Sequence, residues 1–250
     1  MQNDLREVAI KTDQLTKRFG DFIAVNAITF QVKGGEIFGF LGANGAGKTT
    51  AMRMLSGLSI PTSGQASVAG FDVYRQPEEI KKHIGYMSQK FSLYEDLTIL
   101  ENLEFFRGIC GLSGEEIKTK SAELIDDLGL RKEAKKLVGE LPLGWKQKLA
   151  FSVAIFHHPK IVFLDEPTGG VDPVTRRQFW KLIYDASDNG ITIFVTTHYM
   201  DEAEYCNRVS IMVDGRIAAL DAPANLKKQF RAASMDEVFY QLARGAKRSD

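Results

Sequence analysis

The feature that most constrains the fold of this chain is an apolar run, residues 36–41 (EIFGFL), that leads directly into the glycine-rich segment 42–50 (GANGAGKTT). Several backbone N–H groups can approach one phosphate only where side chains are small, and a following helix adds the positive end of its dipole. The alternative is an ordinary glycine turn, but such a string arises by chance in about one chain in a hundred of this length. The sequence therefore predicts a strand, a phosphate-binding loop and a helix, with phosphate contacts from Gly42, Asn44, Gly45, Ala46 and Gly47.

The last three residues of this segment supply the polar groups that a nucleoside triphosphate needs. Lys48 carries a mobile positive charge that can reach the β- and γ-phosphates, and we expect it to act in catalysis as well as in binding. Thr49 offers a hydroxyl to Mg²⁺, and Thr50 can hold the α-phosphate. The segment thus predicts a nucleoside triphosphate and Mg²⁺ as its ligands.

Two further apolar runs, residues 161–164 (IVFL) and 191–195 (ITIFV), are typical of central strands that are covered on both faces. Ligands of an open α/β sheet bind beyond the carboxyl ends of its strands. Asp165 and Glu166 follow the first run, and the segment 196–198 follows the second. We therefore expect an α/β fold with a mostly parallel sheet, in which these polar residues lie beside the glycine-rich segment.

The two acids can divide the work of hydrolysis. Asp165 would lie near the metal, and Glu166 would accept a proton from, or polarise, the water that attacks the γ-phosphate. Paired acids after a buried strand are otherwise more often a helix cap or a turn, and the glycine-rich segment is what favours the catalytic interpretation. His198, at the end of the next run, is predicted to donate a hydrogen bond to the γ-phosphate.

Periodicity divides the chain into unlike parts within one predicted domain, residues 1–250. Residues 1–90 and 151–222 hold the strand-like runs, and alternation near the start and in GQASVAGFDV predicts an antiparallel β subdomain. Residues 91–150 show helical periodicity and predict an inserted helical subdomain, and residues 223–250 predict a helical tail.

Charge and hydropathy restrict the partners. Lysine and arginine number 32, as do aspartate and glutamate, so the whole chain offers no long-range attraction to nucleic acid, and we expect no nucleic-acid partner. No window approaches the ~20 apolar residues that a membrane-spanning helix needs. A membrane role would therefore require a partner that spans the bilayer.

In order and spacing, the motifs at 42–50, 165–166 and 196–198 resemble those of the nucleotide-binding domains of ABC transporters, over about residues 10–220. The resemblance implies a P-loop NTPase core of the RecA-like type. Gln89, in GYMSQKFSLYEDLT, falls at the family's glutamine loop, which implies a role in catalysis and in holding Mg²⁺.

Two more positions match the family. Phe19 falls where the family stacks an aromatic ring on adenine, although an aromatic residue in a strand is more often part of the core. Asp172, in TGGVDP, matches the loop that crosses the dimer interface.

The family's helical subdomain ends in LSGGQ, which closes over the ATP held by the opposite subunit of a head-to-tail dimer. The aligned stretch here is LPLGW, in which Gly144 keeps the position whose backbone N–H can face the γ-phosphate in trans. Pro142 replaces the serine, Leu143 the first glycine and Trp145 the glutamine. Losing the serine hydroxyl costs about 1.5–3 kcal/mol of closed-dimer stability if nothing substitutes for it. The variant is similar to that of ABC-2-type export ATPases of drug efflux, and we expect hydrolysis to be retained.

The resemblance implies an ATPase that ATP closes into a dimer with a second ATP-binding domain, homomeric or heteromeric. It further implies that the chain drives a separate membrane-spanning permease, as a peripheral subunit at the cytoplasmic face of the cell membrane. The alternative is a soluble ABC-type regulatory or assembly ATPase without transport. Ribosome-acting members carry two such domains, and chromosome ATPases insert a long coiled coil, so neither class fits this length and pattern.

Overall fold

The computed structural model describes residues 7–89, 93–110, 121, 122, 124–126 and 128–245. The rest of the predicted helical subdomain and tail, and residues 1–6, lie outside the described residues. The strands of the described part are β1 (Val8–Phe19), β2 (Phe22–Lys33), β3 (Ile37–Leu41), β4 (Ser63–Val68), β5 (Phe71–Asp72), β6 (Ile84–Met87), β7 (Ile161–Asp165), β8 (Thr192–Thr197), β9 (Arg208–Val213) and β10 (Arg216–Asp221).

Helices connect and cover these strands. Among the described residues, no helix combines the length and the apolar character that crossing a bilayer requires. The helices are α1 (Lys48–Leu55), α2 (Pro77–His83), α3 (Ile99–Cys110), α4 (Leu143–Ile155), α5 (Pro173–Asp188), α6 (Pro223–Phe230) and α7 (Met235–Gly245), with short 3₁₀ helices at Val138–Glu140 and Met200–Tyr205.

The larger sheet has the order β10-β9-β3-β8-β7-β6 and is parallel except for the antiparallel pair of β9 and β10. Every residue of β3, β7 and β8 is buried, because α4 and α5 cover one face of the parallel sheet and α1 with the smaller sheet covers the other. The carboxyl ends of these three adjacent strands lie at one edge, where the glycine-rich loop, the acid pair and His198 follow them. The predicted α/β class with a mostly parallel core is confirmed.

The smaller sheet is antiparallel, with the order β2-β1-β4-β5. It packs on the larger sheet through phenylalanine side chains. Phe30 of β2 stacks on Phe38 of β3, with ring centroids 5.5 Å apart, and lies near Phe40 and Phe194. Burying each such ring stabilises the fold by about 1.5–3 kcal/mol, so this contact fixes the small sheet beside the glycine-rich loop.

The helical part contains α3, the helical residues 121, 122 and 124–126, and α4. Helix α4 crosses the predicted boundary at residue 150 and ends at Ile155. Its Phe151 meets Phe179 of α5 edge to face, with centroids 5.4 Å apart. Because α4 packs on the core in this way, the residues at its N-terminus are held close to the start of α5.

Candidate nucleotide-binding and active site

The glycine-rich loop leads from β3 into α1 and lines a cleft of about 470 Å³. Gly47 is the residue before α1 and has a φ of 101°, and a Cβ there would collide with the carbonyl oxygen of Ala24. Only glycine fits this position. The lining residues are Phe22, Ala24, Asn44, Gly45, Gly47, Lys48, Thr49, Thr50, Gln89 and Glu166.

Lys48 is buried at the base of this cleft, with 4% of its surface exposed. Its Nζ donates to the carbonyl oxygens of Gly42 (2.8 Å) and Ala43 (3.1 Å), and it lies 3.5 Å from Glu166 Oε1. Burial lowers the pKa of Lys48, and the charge of Glu166 offsets part of that effect. An anionic ligand in the cleft would favour the charged form of Lys48. The site therefore suits a phosphate group.

Asp165 ends β7 and is held from two sides. Thr196 Oγ1 donates to Asp165 Oδ1 at 2.6 Å, and Thr49 Oγ1 donates to the same oxygen at 3.3 Å. Protein-bound Mg²⁺ takes one or two protein oxygens and fills its other positions with water and phosphate. The carboxylate of Asp165 and the hydroxyl of Thr49 fit this donor set, so these two residues would hold the metal.

Glu166 has an unusual backbone conformation, with a φ of 49°. Its N–H lies 3.1 Å from both the carbonyl oxygen and Oγ1 of Thr196, which holds the residue in this conformation. A non-glycine residue in the left-handed region costs about 1–3 kcal/mol and persists only when its surroundings impose it. Glu166 Oε2 accepts a hydrogen bond from Gln89 Nε2 at 3.0 Å and lies 3.0 Å from His198 Nδ1.

The contact between His198 and Glu166 defines which ring nitrogen carries the proton. A carboxylate can only accept, so His198 donates from Nδ1. With one proton on the ring, Nε2 is then an acceptor. The predicted hydrogen bond from His198 to the γ-phosphate therefore requires a second proton on the ring or a rotation of the ring.

The predicted interface residues Gly144 and Asp172 line a second cavity, of about 280 Å³. Asp172 is the N-cap of α5, accepting from the N–H groups of Val174 (2.9 Å) and Thr175 (3.0 Å). The Thr175 hydroxyl also donates to Asp172 and lowers the pKa of its carboxyl group. A Cβ on Gly144 would collide with the methyl group of Thr175, so α4 and α5 approach closely here. The roles of Gly144 and Asp172 in trans stay predictions.

The aromatic residue beside the cleft differs from the one that the sequence singles out. Phe22 lines the cleft and is 65% exposed. Phe19 is paired with it across the β1–β2 hairpin, is 56% exposed and lies beneath the ammonium of Lys17. Phe19 is thus not a core residue, and its stacking on adenine stays a prediction. Sequence analysis missed Phe22, although the Gly20–Asp21 turn signal would have placed it opposite Phe19.

The edge of the parallel sheet thus brings together Lys48, Thr49, Asp165, Glu166 and His198, with Gln89 beside them. In this structure Gln89 donates to Glu166, and its predicted contact to Mg²⁺ is untested. Sequence analysis also missed the bridging role of Thr196, which lies in the segment 196–198 that it identified.

The arrangement agrees with a family comparison. The family model described as ABC transporter matches residues 25–169, which contain the glycine-rich loop, Gln89, the LPLGW stretch at 141–145 and the acid pair. The chain belongs to the ABC transporter family. The family membership expected from the sequence is confirmed.

Members of the ABC transporter family with curated descriptions resemble most of the chain. It is 47% identical over 241 residues to a probable multidrug ABC transporter ATP-binding protein of Escherichia coli, covering 94% of this chain and 42% of that protein. The chain therefore spans less than half the length of that relative. It is 40% identical over 224 residues to the bacitracin transport ATP-binding protein of Bacillus licheniformis, covering 89% of this chain and 72% of the relative.

Solved structures of ABC proteins share the fold. An ATP-binding subunit of an ABC transporter superposes with a TM-score of 0.83 at 27% identity, covering 94% of this chain and 99% of that one. The dimeric ATP-binding cassette MJ0796, bound to ADP and Pi in a post-hydrolysis state, superposes with a TM-score of 0.76 at 26% identity, covering 85% and 98%.

Proposed function

We propose that this chain binds ATP with Mg²⁺ in the cleft around Lys48, hydrolyses it with Glu166 as the base, and drives a membrane-spanning export permease. The observation that carries the proposal is the position of the Glu166 carboxylate. It lies 3.5 Å from Lys48, accepts hydrogen bonds from Gln89 and His198, and lines the same cleft as the glycine-rich loop.

ATP and Mg²⁺ would bind to polar groups that hydrogen-bond to one another in this structure. Lys48 Nζ, held by the carbonyls of Gly42 and Ala43, would exchange these partners for phosphate oxygens. The N–H groups at the start of α1 would face the same anion. Thr49 and Asp165 would hold Mg²⁺, which when bound neutralises charge on the β- and γ-phosphates.

Hydrolysis would depend on how Glu166 is held. Its backbone is fixed by Thr196, and its carboxylate oxygen Oε2 is held by Gln89 and His198. The other oxygen, Oε1, lies 3.5 Å from Lys48 Nζ and would take the proton from water. A positioned general base contributes about 10²–10⁴-fold to rate. Glu166→Gln keeps the shape and removes the basicity, so we expect hydrolysis to fall by about 100-fold or more while ATP binding is retained.

The remaining parts of the proposal concern partners. The cavity lined by Gly144 and Asp172 is where the ATP of a second ATP-binding domain would be covered, and the dimer of MJ0796 supports such an assembly. The names of the multidrug and bacitracin relatives support a role in transport. We propose that this role is export through a permease, with this chain peripheral at the cytoplasmic face of the membrane. The family's soluble regulatory and assembly ATPases form the alternative, and no contact in the described part of the chain favours it.

Isothermal titration calorimetry of the full chain with Mg²⁺ and ATP tests the nucleotide site. We expect binding in the wild type and in Glu166→Gln, and a loss of affinity in Lys48→Ala. Lys160→Ala, at an exposed lysine before β7, is the matched control and should bind as the wild type does. Binding that is unchanged in Lys48→Ala would refute the proposed site.

The ATPase rate tests the dimer. If a second copy completes the site, the rate per molecule should rise with protein concentration and then level off. A rate per molecule that is constant over the whole range would contradict a site that needs a second copy of this chain.

A further inference from the structure

Glu202 is a buried carboxylate that the proposed reaction does not use. It lies in the 3₁₀ helix Met200–Tyr205 and has no exposed surface. Its Oε1 accepts from the Thr168 hydroxyl and lies 3.5 Å from Arg176 Nε, whereas its Oε2 has no hydrogen-bond partner among the described residues. Burying a carboxylate costs several kcal/mol even beside a counter-ion, so the contacts of Glu202 are weak evidence that it stabilises the fold.

Arg176 is that counter-ion, and it contacts three residues that follow His198. Its guanidinium lies 4.4 Å from the centre of the Tyr199 ring. Its Nη1 lies 3.4 Å from Asp201 Oδ2, and its Nε faces Glu202. A planar guanidinium can stack on a ring and bind carboxylates at its edge at the same time, which an ammonium cannot do.

The stack continues to the active site. The centroids of the Tyr199 and His198 rings lie 4.1 Å apart, at an interplanar angle of 37°. His198 in turn donates to Glu166. Arg176 therefore supports, through Tyr199, the ring that holds the catalytic carboxylate, although it does not line the cleft itself.

The same cluster holds the segment 167–172, which joins Glu166 to α5. Glu202 holds Thr168 in this segment, and Gln147 of α4 donates to the carbonyl oxygen of Gly169 at 3.2 Å. Arg176 lies in the first turns of α5, immediately after the segment ends. Arg176, Tyr199 and Glu202 thus connect His198 to the segment 167–172, which also contacts α4. This segment ends at Asp172, one of the predicted interface residues.

We infer that Arg176 is a positioning residue for hydrolysis: through Tyr199 it fixes the His198 ring against Glu166, and through Glu202 it couples that ring to the segment 167–172. The inference rests on the proposed role of His198 and Glu166 in hydrolysis. It predicts that Arg176 affects turnover only when His198 is present, because His198 is the group that it positions.

A double-mutant cycle tests this dependence. Arg176→Met is measured in the wild-type and His198→Ala backgrounds, at protein concentrations where the ATPase rate has levelled off. We expect kcat to fall about tenfold in the wild-type background and less than about twofold in the His198→Ala background, with KM for ATP within about twofold throughout. A residue that only stabilised the fold would lower the rate by the same factor in both backgrounds.

Two further variants control for nonspecific effects on α5 and on folding. Arg177→Met, at the next residue of α5, removes an arginine that forms no ion pair with the described residues, and it should leave kcat unchanged. Arg176→Lys keeps a charge beside Glu202 and so protects folding, and we expect a smaller loss of kcat that again requires His198.

The possible failures are distinguishable. Equal loss from Arg176→Met in both backgrounds, or wild-type kcat in both Arg176 variants, would overturn the inference and leave the proposed function intact. A His198→Ala variant with full kcat would overturn the proposed role of His198, and this inference with it.

Discussion

Removing the hydroxyl group of Thr196 should affect stability and metal dependence together. This hydroxyl donates to Asp165 at 2.6 Å and lies 3.1 Å from the N–H of Glu166, inside the sheet and without exposed surface. Thr196→Val replaces it with a methyl group of nearly the same size. Both of these contacts of the hydroxyl are with the acid pair, so the substitution should act on Asp165 and Glu166.

The expected magnitude follows from these contacts. A hydrogen bond to a charged group contributes about 1.5–3 kcal/mol, and Asp165 is almost fully buried, so we expect the free energy of unfolding to fall by about 2 kcal/mol. Removing a group that orients a metal ligand weakens metal affinity or activity by about 10–100-fold. The Mg²⁺ concentration that gives half of the maximal ATPase rate should therefore rise by at least about tenfold.

Urea unfolding and Mg²⁺ titrations of the ATPase rate measure the two effects. Thr192→Val is the matched control, because Thr192 is buried at the other end of β8 and its hydroxyl accepts from the N–H of Gly35 at 3.0 Å. It should lower the stability by about 1 kcal/mol or more and leave the Mg²⁺ dependence unchanged. Wild-type Mg²⁺ dependence in Thr196→Val would refute the reasoning that Thr196 orients Asp165.

Three further predictions concern other parts of the molecule. Replacing both Phe19 and Phe22 by alanine should weaken ATP binding about fivefold or more by loss of stacking, and the single variants apportion the loss in calorimetry; an unchanged Kd in the double variant would exclude a stacking role. Gly144→Ala should lower the free energy of unfolding by about 1–3 kcal/mol, because the new methyl group meets that of Thr175. Adding Thr175→Ser should restore the stability in urea unfolding, and a persistent loss would contradict this cause. Burial lowers the pKa of His157 below its ordinary value of about 6.5, so between these two pKa values this side chain is protonated in the unfolded state and neutral in the folded one, and stability should fall as the pH falls through that range. The fall should be shallower in His157→Gln, and equal slopes would show that another group is responsible.

The helical subdomain shows where sequence patterns lose precision. Helical periodicity predicted this part at residues 91–150, but α4 runs from Leu143 to Ile155 and belongs to both parts. A helix that packs on two neighbours is apolar on more than one face, so periodicity does not mark where one part ends. The cap of α5 by Asp172 was equally absent from the sequence interpretation, although Asp followed by Pro is a recognised start of a helix.

The sequence by itself determined the fold class, the glycine-rich loop and the polar residues at the strand ends, because those signals lie within a few consecutive residues. Tertiary structure alone decided which of them touch. Asp165 and Thr196 are paired across β7 and β8, with α5 between them in the chain, and Arg176 reaches Tyr199 from a different element. Such contacts depend on strand register and helix packing, which bring together residues that are distant in the chain. No local sequence pattern marks them.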